Sequence, residues 1–240
     1  MAKVSNRLTR IYLDEFNFAS DLNSFNQNVT QETIPVTCFS DDGPRRVVGN
    51  YEIKAALAGF FNNTDDGIDE QVWSRINDGS DHYLCILPGA YAAGSVAYEH
   101  VVSAEGQQRS GQNGGAVLLS FDAVGRNATY RGLVLANKTT TGGENIAGVN
   151  LGATTLGQTL AVTFRVVTFS GTNITLKVQE SSDDGGGDAY ADITGLTSGA
   201  LTTATCVRVS TTAATEAYKR VVVSGTFSSA VILVTAGVQS

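Results

Sequence analysis

"NITLKVQE", Asn173–Glu180, alternates Ile174, Leu176 and Val178 with Thr175, Lys177 and Gln179. A period of two puts the apolar set on one face of an extended strand and the polar set on the other. Just upstream, "LAVTFRVVTF", Leu160–Phe169, is a run of β-branched and aromatic residues, the types that pack best on a pleated surface. "ATCVRVST", "YKRVVVSGTF" and "AVILVTAGV" follow, separated by Gly-, Ser- and Asp-rich turns. Short strands at such spacing predict an all-β sandwich or barrel. "SDDGGGDAY", Ser182–Tyr190, reads as a flexible hairpin tip. Its acids lack the ligand spacing and the closing Glu of a calcium loop.

The first half has a different texture. The stretch from Arg10 to Ser40 reads as strand, turn, strand, and "NYEIKAALAGFF", Asn50–Phe61, as another strand. One helix is predicted near 66–77, where Ile68, Val72, Trp73 and Ile76 recur at helical spacing. Asp65 and Asp66 are its candidate caps, Gly79 lies just past its end, and Trp73 is expected to pack on the sheet. "HYLCILPGAY" reads as a buried strand stopped by Pro88, and "SVAYEHVVSA" as a further strand. Two polar stretches, Glu105–Gly115 and Lys138–Gln158, are expected to be long loops. The expected division is 1–110, a β unit with the helix, and 111–240, a second β unit.

The chain has 240 residues, enough for one large β domain or two small ones. Its net charge is −7, which argues against a dedicated nucleic-acid binder but does not exclude a protein that lets DNA slide past without sticking. Only 16% of residues are charged, so much of the surface is Ser, Thr, Asn and Gly, as large subunit contacts favour. Cys38, Cys85 and Cys206 are odd in number and far apart, and are expected to be reduced, half-buried thiols. No apolar h-region opens the chain, and no window approaches the roughly 20 apolar residues of a membrane helix. The expectation is a soluble protein made in a cytoplasm, with no membrane partner.

Chemistry finds little footing. His82 and His100 are the only histidines, and neither has a partner at ligand spacing. No glycine-rich phosphate loop follows a strand, so no cofactor is implied. Adjacent acids such as Asp14/Glu15, Asp65/Asp66 and Asp183/Asp184 point to opposite faces in a strand and do not build a two-carboxylate site. No catalytic, cofactor or metal residue is assigned, and the chain is not read as an enzyme. The densest charge cluster is "SDDGPRRVVGNYEI", Ser40–Ile53. Asp42-Gly43-Pro44 is a turn, and Arg45 and Arg46 then open a strand facing opposite ways. A salt bridge within or between subunits is favoured over a solvated surface. Anion binding ranks last, because Pro44 removes a backbone donor. Asp42, Arg45 and Arg46 are the candidate subunit-interface residues.

The first half, roughly residues 7–135, resembles major tail tube proteins of long, flexible-tailed bacteriophages. The resemblance lies in the extended start, the Gln-Glu-Thr segment, "DGPRRVVGNY", the "GFF" strand end, the helix "DGIDEQVWSRI" and "HYLCILPGA". The second half looks like the β-sandwich modules of phage virion proteins, in "LKVQESSDDGGGDAYADITG" and "KRVVVSGTF". The resemblance implies a tail-tube-type β-sandwich or barrel with a short flanking helix. It also implies a second β-sandwich unit, either an outward decoration domain or a fused second tube unit. It implies a structural virion protein, assembled in the bacterial host cytoplasm and located in the virion tail. Rings of six such subunits, or pseudo-hexameric rings of three, stack into a tube that conducts the genome. The implied partners are further copies, the tape measure, tail terminator and distal tail proteins, and DNA in non-specific passage. The polar loops are candidate ring-to-ring contacts. The competing reading is a capsid or tail decoration or binding protein without a lumen.

Overall fold

The computed structural model describes residues 9–38, 42–64, 66–76, 78–89, 91–126 and 129–239. These form a mainly β protein with one short helix, as the period-two pattern predicts. The strands are β1 Arg10–Leu13, β2 Phe16–Asn17, β3 Leu22–Pro35, β4 Arg46–Phe60, β5 His82–Leu87, β6 Val96–Ser110 and β7 Leu118–Gly125. They continue with β8 Tyr130–Thr140, β9 Glu144–Asn145, β10 Val149–Asn150, β11 Leu160–Ser181, β12 Ala191–Leu201, β13 Thr205–Thr211 and β14 Tyr218–Val238. The helix, α1, is Ile68–Arg75.

Two compact units share the chain, but they interleave. One comprises Met1–Ala19, Tyr83–His100 and Ala128–Ser240, and the other Ser20–His82 and Val101–Asn127. The break expected at residue 110 instead falls between β6 and β7, inside the second unit. These two strands are hydrogen-bonded from Val102–Gly125 to Ser110–Leu118, and strand pairing at that range outweighs the change in composition.

In the larger unit, β11 and β14 pair antiparallel along nearly their whole lengths. β13 flanks the first part of β11, Leu160–Val166, and β12 the last part, Ile174–Glu180. β8 pairs with the last part of β14, and β9 and β10 with the first. Residues from both ends of β11, Val162 and Phe164 with Leu176 and Val178, share one apolar cluster with Val221, Val223, Ile232 and Val234. The paired strands therefore bend back on themselves. The register shifts that allow this lie between Val166 and Asn173. Glycine is required at the bend: a Cβ on Gly171 would sit 2.4 Å from the Phe227 Cα, and Gly225 has φ +126°. A second cluster, with Tyr12, Cys85, Leu87, Ala97, Val134 and Leu233, covers the other face. The first seven residues of β11 are thus buried on both sides, which is why that stretch reads as an unbroken run.

The expected loop Lys138–Gln158 is interrupted by pairing: β8 runs to Thr140, and β9, β10 and a Thr154–Thr215 bridge follow, with unpaired stretches between them. The β11–β12 tip is held by its own acid rather than left loose. The Asp183 carboxylate accepts from the N–H groups of Gly187 at 2.5 Å, Asp188 at 3.1 Å and Gly186 at 3.0 Å, and these bonds hold its pKa below the ordinary value.

The smaller unit is an antiparallel sheet in the order β3–β4–β7–β6. Ile53, Ala55 and Leu57 of β4, Leu119, Phe121 and Ala123 of β7, Val102 and Ala104 of β6, and Ile68 and Val72 of α1 are buried. The stretch Glu105–Ser110, expected to be loop, is strand. It carries no apolar residue because pairing with β7, rather than burial, holds it. Gly106, at φ +67°, forms a bulge that shifts the register between Glu105 and Gln107.

Candidate assembly surface

The smaller unit presents three surfaces to solvent. The first is the far end of the β3–β4 hairpin. β7 pairs with β4 only from Lys54 to Phe60, so from Arg46 to Ile53 the hairpin is a two-stranded ribbon. Such a ribbon buries little and is marginal by itself in water. It nevertheless carries exposed Val29 (55%), Ile34 (46%), Val36 (42%) and Val47 (53%). Along its length β3 pairs with β4 alone and leaves an open edge of 14 residues.

The sequence candidates sit at the tip of this arm. Asp42, Arg45 and Arg46 are all exposed. Arg46 pairs with Pro35 in the register, the Arg45 carbonyl accepts from the Val36 N–H at 3.0 Å, and the Arg45 N–H donates to Thr37 Oγ1 at 3.0 Å. Pairs 34/47 and 36/45 therefore share one face and pair 35/46 the other. The side chains of Asp42 and Arg46 make no hydrogen bond or ion pair with the described residues. Ser40 and Asp41 of the same cluster lie outside the described residues.

The second surface is the open face of the four-stranded sheet. The register lines up Asn26, Ala56, Asp122 and Glu105 in one row across the strands, and Asn28, Lys54 and Val124 in the next. Glu105 and Asp122 are directly opposite on one face, and Lys54 meets Glu52 at 3.0 Å. The row is small, polar and net acidic, and its centre forms a shallow concavity.

The third surface lies on the α1 side. Trp73, expected to pack on the sheet, is 63% exposed. Ile68 and Val72 already fill the face of α1 that turns inward, and an eight-residue helix has no room for a third anchor there. Arg109 stacks on the Trp73 ring at 5.3 Å and the Phe61 ring at 5.9 Å, and its guanidinium meets the Asp69 carboxylate at 2.5 Å. Gln107 also donates to Asp69, at 2.9 Å. The α1 N-cap is Gly67, with no side-chain cap, and Asp65 lies outside the described residues.

Sequence reasoning passed over a buried ion pair in the larger unit. Arg165 and Glu99 have no exposed side-chain surface and meet bidentately, at 2.6 and 2.8 Å. Arg165 also donates to the carbonyls of Asp14 (2.8 Å) and Tyr83 (3.1 Å), and Thr235 Oγ1 donates to Glu99 at 2.6 Å. An arginine inside "VTFRVVTF" was the available signal, but nothing in the sequence names its partner 66 positions away. Next to it His100 is buried. The Thr129 hydroxyl donates to the Glu99 carbonyl at 2.8 Å, so His100 Nδ1 is the donor in its 2.5 Å bond to Thr129. Burial, aided by the Arg208 guanidinium and opposed by Glu99, lowers the His100 pKa to about 4. His82 meets Asp78 at 3.0 Å. Cys38 is exposed, Cys85 buried and Cys206 intermediate, so the thiols differ where all were expected to be half-buried, and none of them forms a disulfide among the described residues. Among the described residues no group of three or more His, Cys, Asp or Glu is placed to hold a metal ion. No helix among them is long and apolar enough to cross a membrane.

No protein-family model and no curated protein matches the chain. Some solved structures are similar. A chain of the virion of a native gene transfer agent particle aligns at 17% identity over 53% of this chain and 97% of its own, with a TM-score of 0.45. A chain from the tail of the empty gene transfer agent particle, refined with C6 symmetry, aligns at 16% over 53% and 97%, with a TM-score of 0.42. The SPP1 Dit protein, described as a paradigm of the hub adsorption apparatus in phages infecting Gram-positive hosts, aligns at 9% identity over 96% of this chain and 98% of its own, with a TM-score of 0.38. All three likenesses are remote in sequence and partial in shape.

Proposed function

We propose that the chain is a structural subunit of a phage-type tail, without catalytic activity, that closes into rings around a lumen. The observation that carries this reading is the sheet β3–β4–β7–β6. One face of it is buried, the other is open, polar and net acidic, and its β3 edge is unpaired. Pairing β3 of one copy with the β6 side of the next satisfies that edge and continues the sheet around a closed barrel. The row with Asp122 and Glu105 then faces inward, where its charge keeps DNA phosphates from adhering during passage. Six copies, or three in a pseudo-hexameric ring, close the circle, and rings stack into the tail tube. The tape measure, tail terminator and distal tail proteins are its neighbours in the virion tail, with assembly in the host cytoplasm. The larger unit is then either a decoration on the outside or a second tube unit. The sequence resemblance supports the same reading.

Electron microscopy of concentrated protein tests it. Rings or tubes with an open centre are expected. A strictly monomeric species at every concentration overturns the proposal.

A further inference from the structure

The β6–β7 hairpin ends in a tip at 111–117, and its sequence, "GQNGGAV", holds the chain's one Asn-Gly pair, Asn113-Gly114. Every other asparagine is followed by a residue that carries a side chain. Asn113, Gly114 and Gly115 are all exposed. One backbone bond spans the turn, donated by the Gly115 N–H to the Gln112 carbonyl at 2.9 Å, and Gly114 sits at φ +82°. This is a type II turn with Asn113 and Gly114 as its central residues. Neither the Asn113 carboxamide nor the Gly114 N–H makes a hydrogen bond among the described residues. A Cβ built on Gly114 meets nothing within 4 Å, so no packing holds that peptide in place.

We propose that Asn113 is a self-modification site, converted through Gly114 into a mixture of aspartate and isoaspartate. The Gly114 amide nitrogen gives up its proton to hydroxide and attacks the Asn113 Cγ. A new N–Cγ bond forms, the Cγ–Nδ2 bond breaks, and the amide group leaves as ammonia with a proton from water. The product is a five-membered succinimide. Water then opens the ring at one of its two carbonyls. Cleavage of the N–Cγ bond restores the normal chain with aspartate at 113. Cleavage of the original peptide bond leaves the chain running through Cγ, which is isoaspartate. One water is consumed and one ammonia released, with no oxidant, metal or cofactor.

Two features select this asparagine, a residue type that is chemically labile in general. Glycine has no Cβ to crowd the attacking nitrogen or to restrict the approach to the ring geometry. The tip is also held by a single turn bond, whereas Asn23, Asn26 and Asn28 lie within β3, where pairing with β4 fixes the backbone. The four Asp-Gly pairs are weaker sites, since a carboxylate is a poorer electrophile than a carboxamide. In two of them the glycine N–H is already engaged, Gly67 with the Thr64 carbonyl at 2.7 Å and Gly185 with Ser181 Oγ at 2.8 Å. The modification adds one negative charge to a chain that carries −7. Isoaspartate also lengthens the backbone inside the turn, close to Val117, whose carbonyl accepts from the Phe61 N–H at 3.0 Å. Tips of mixed chemistry therefore accumulate with age in the protein, whether or not it forms rings.

The test is mass spectrometry of tryptic peptides from the full chain, sampled over time in warm, mildly alkaline buffer. Cleavage after Arg109 and Arg126 isolates peptide 110–126, in which Asn113 is the only asparagine. Its amide-to-acid conversion is expected to outpace that of every other asparagine-containing peptide. The converted peptide is expected to elute as two species, one of which takes up label from S-adenosylmethionine in the presence of an isoaspartyl methyltransferase. Gly114→Ala is expected to slow the conversion manyfold, and Asn113→Gln to abolish it. A peptide 110–126 that keeps its amide while others convert overturns the proposal. So does an unchanged rate in Gly114→Ala, because the attack then does not depend on glycine. Conversion of the Asn113→Gln peptide at the wild-type rate places the reaction at Gln112 and overturns it as well.

Discussion

Arg165 and Glu99 are two charges with no water contact, so each depends on the other for its solvation. Their cost is met by the bidentate contact, by two carbonyls on Arg165 and by the Thr235 hydroxyl on Glu99. Removing one partner strands the other. Glu99→Gln or Arg165→Met is expected to lower the unfolding free energy by about 3–5 kcal/mol in denaturant titration. The double variant Glu99→Leu/Arg165→Met is expected to lose much less, and a loss equal to the sum of the singles would refute mutual dependence. His100 sets a pH limit. Its folded pKa, about 4, lies below the unfolded value, so between pH 4 and about 6.5 the unfolded chain binds more protons. Stability therefore falls as the pH drops through that window and is unaffected above it. The loss attributable to His100 is on the order of 3 kcal/mol. Thermal melts of wild type and His100→Asn should diverge below pH 6.5, and parallel curves would remove this account.

Elements were legible where burial wrote a period. β11 and β14 follow from alternating or continuous apolar runs, and α1 from Ile68 and Val72. The Asp-Gly-Pro corner places the start of β4 at Arg46. Glu105–Ser110 was illegible because a strand exposed on the outer half of a small sheet has no apolar face to betray it. Trp73 misled because size and helical spacing do not say which face of a short helix is already full. Of the candidate assembly surface, the arginines were visible as a charge cluster, while the acidic row was not. Asp122 and Glu105 come together only through the β6–β7 register and the Gly106 bulge. The bend in β11 offers a test at this scale. Gly171→Ala places a methyl against the Phe227 backbone and is expected to cost about 1–3 kcal/mol in chemical denaturation. A neutral result would mean that the bend tolerates a shift of that backbone.

For the molecule as a whole, the acidic row is where the proposed passage of DNA is put to the test. Wild-type assemblies are expected to show no DNA retention on a filter at low salt. Glu105→Lys with Asp122→Lys reverses the row, and is expected to add binding that weakens steeply with salt. If the variant retains DNA no better than wild type, the row does not face the passage. The interleaving of the two units has a further consequence, during synthesis. The smaller unit is complete once residue 127 has left the ribosome. The larger one must wait for β14, whose last paired residue is Val238, because β8 and β11 both need it as a neighbour. The nascent chain thus holds Arg165 and the early β-strands without their cover until β14 has been made, while the arm-bearing sheet is already formed. A cut within β14, Tyr218–Val238, would leave a folded arm on an unfolded body, whereas no single cut frees the body from the arm.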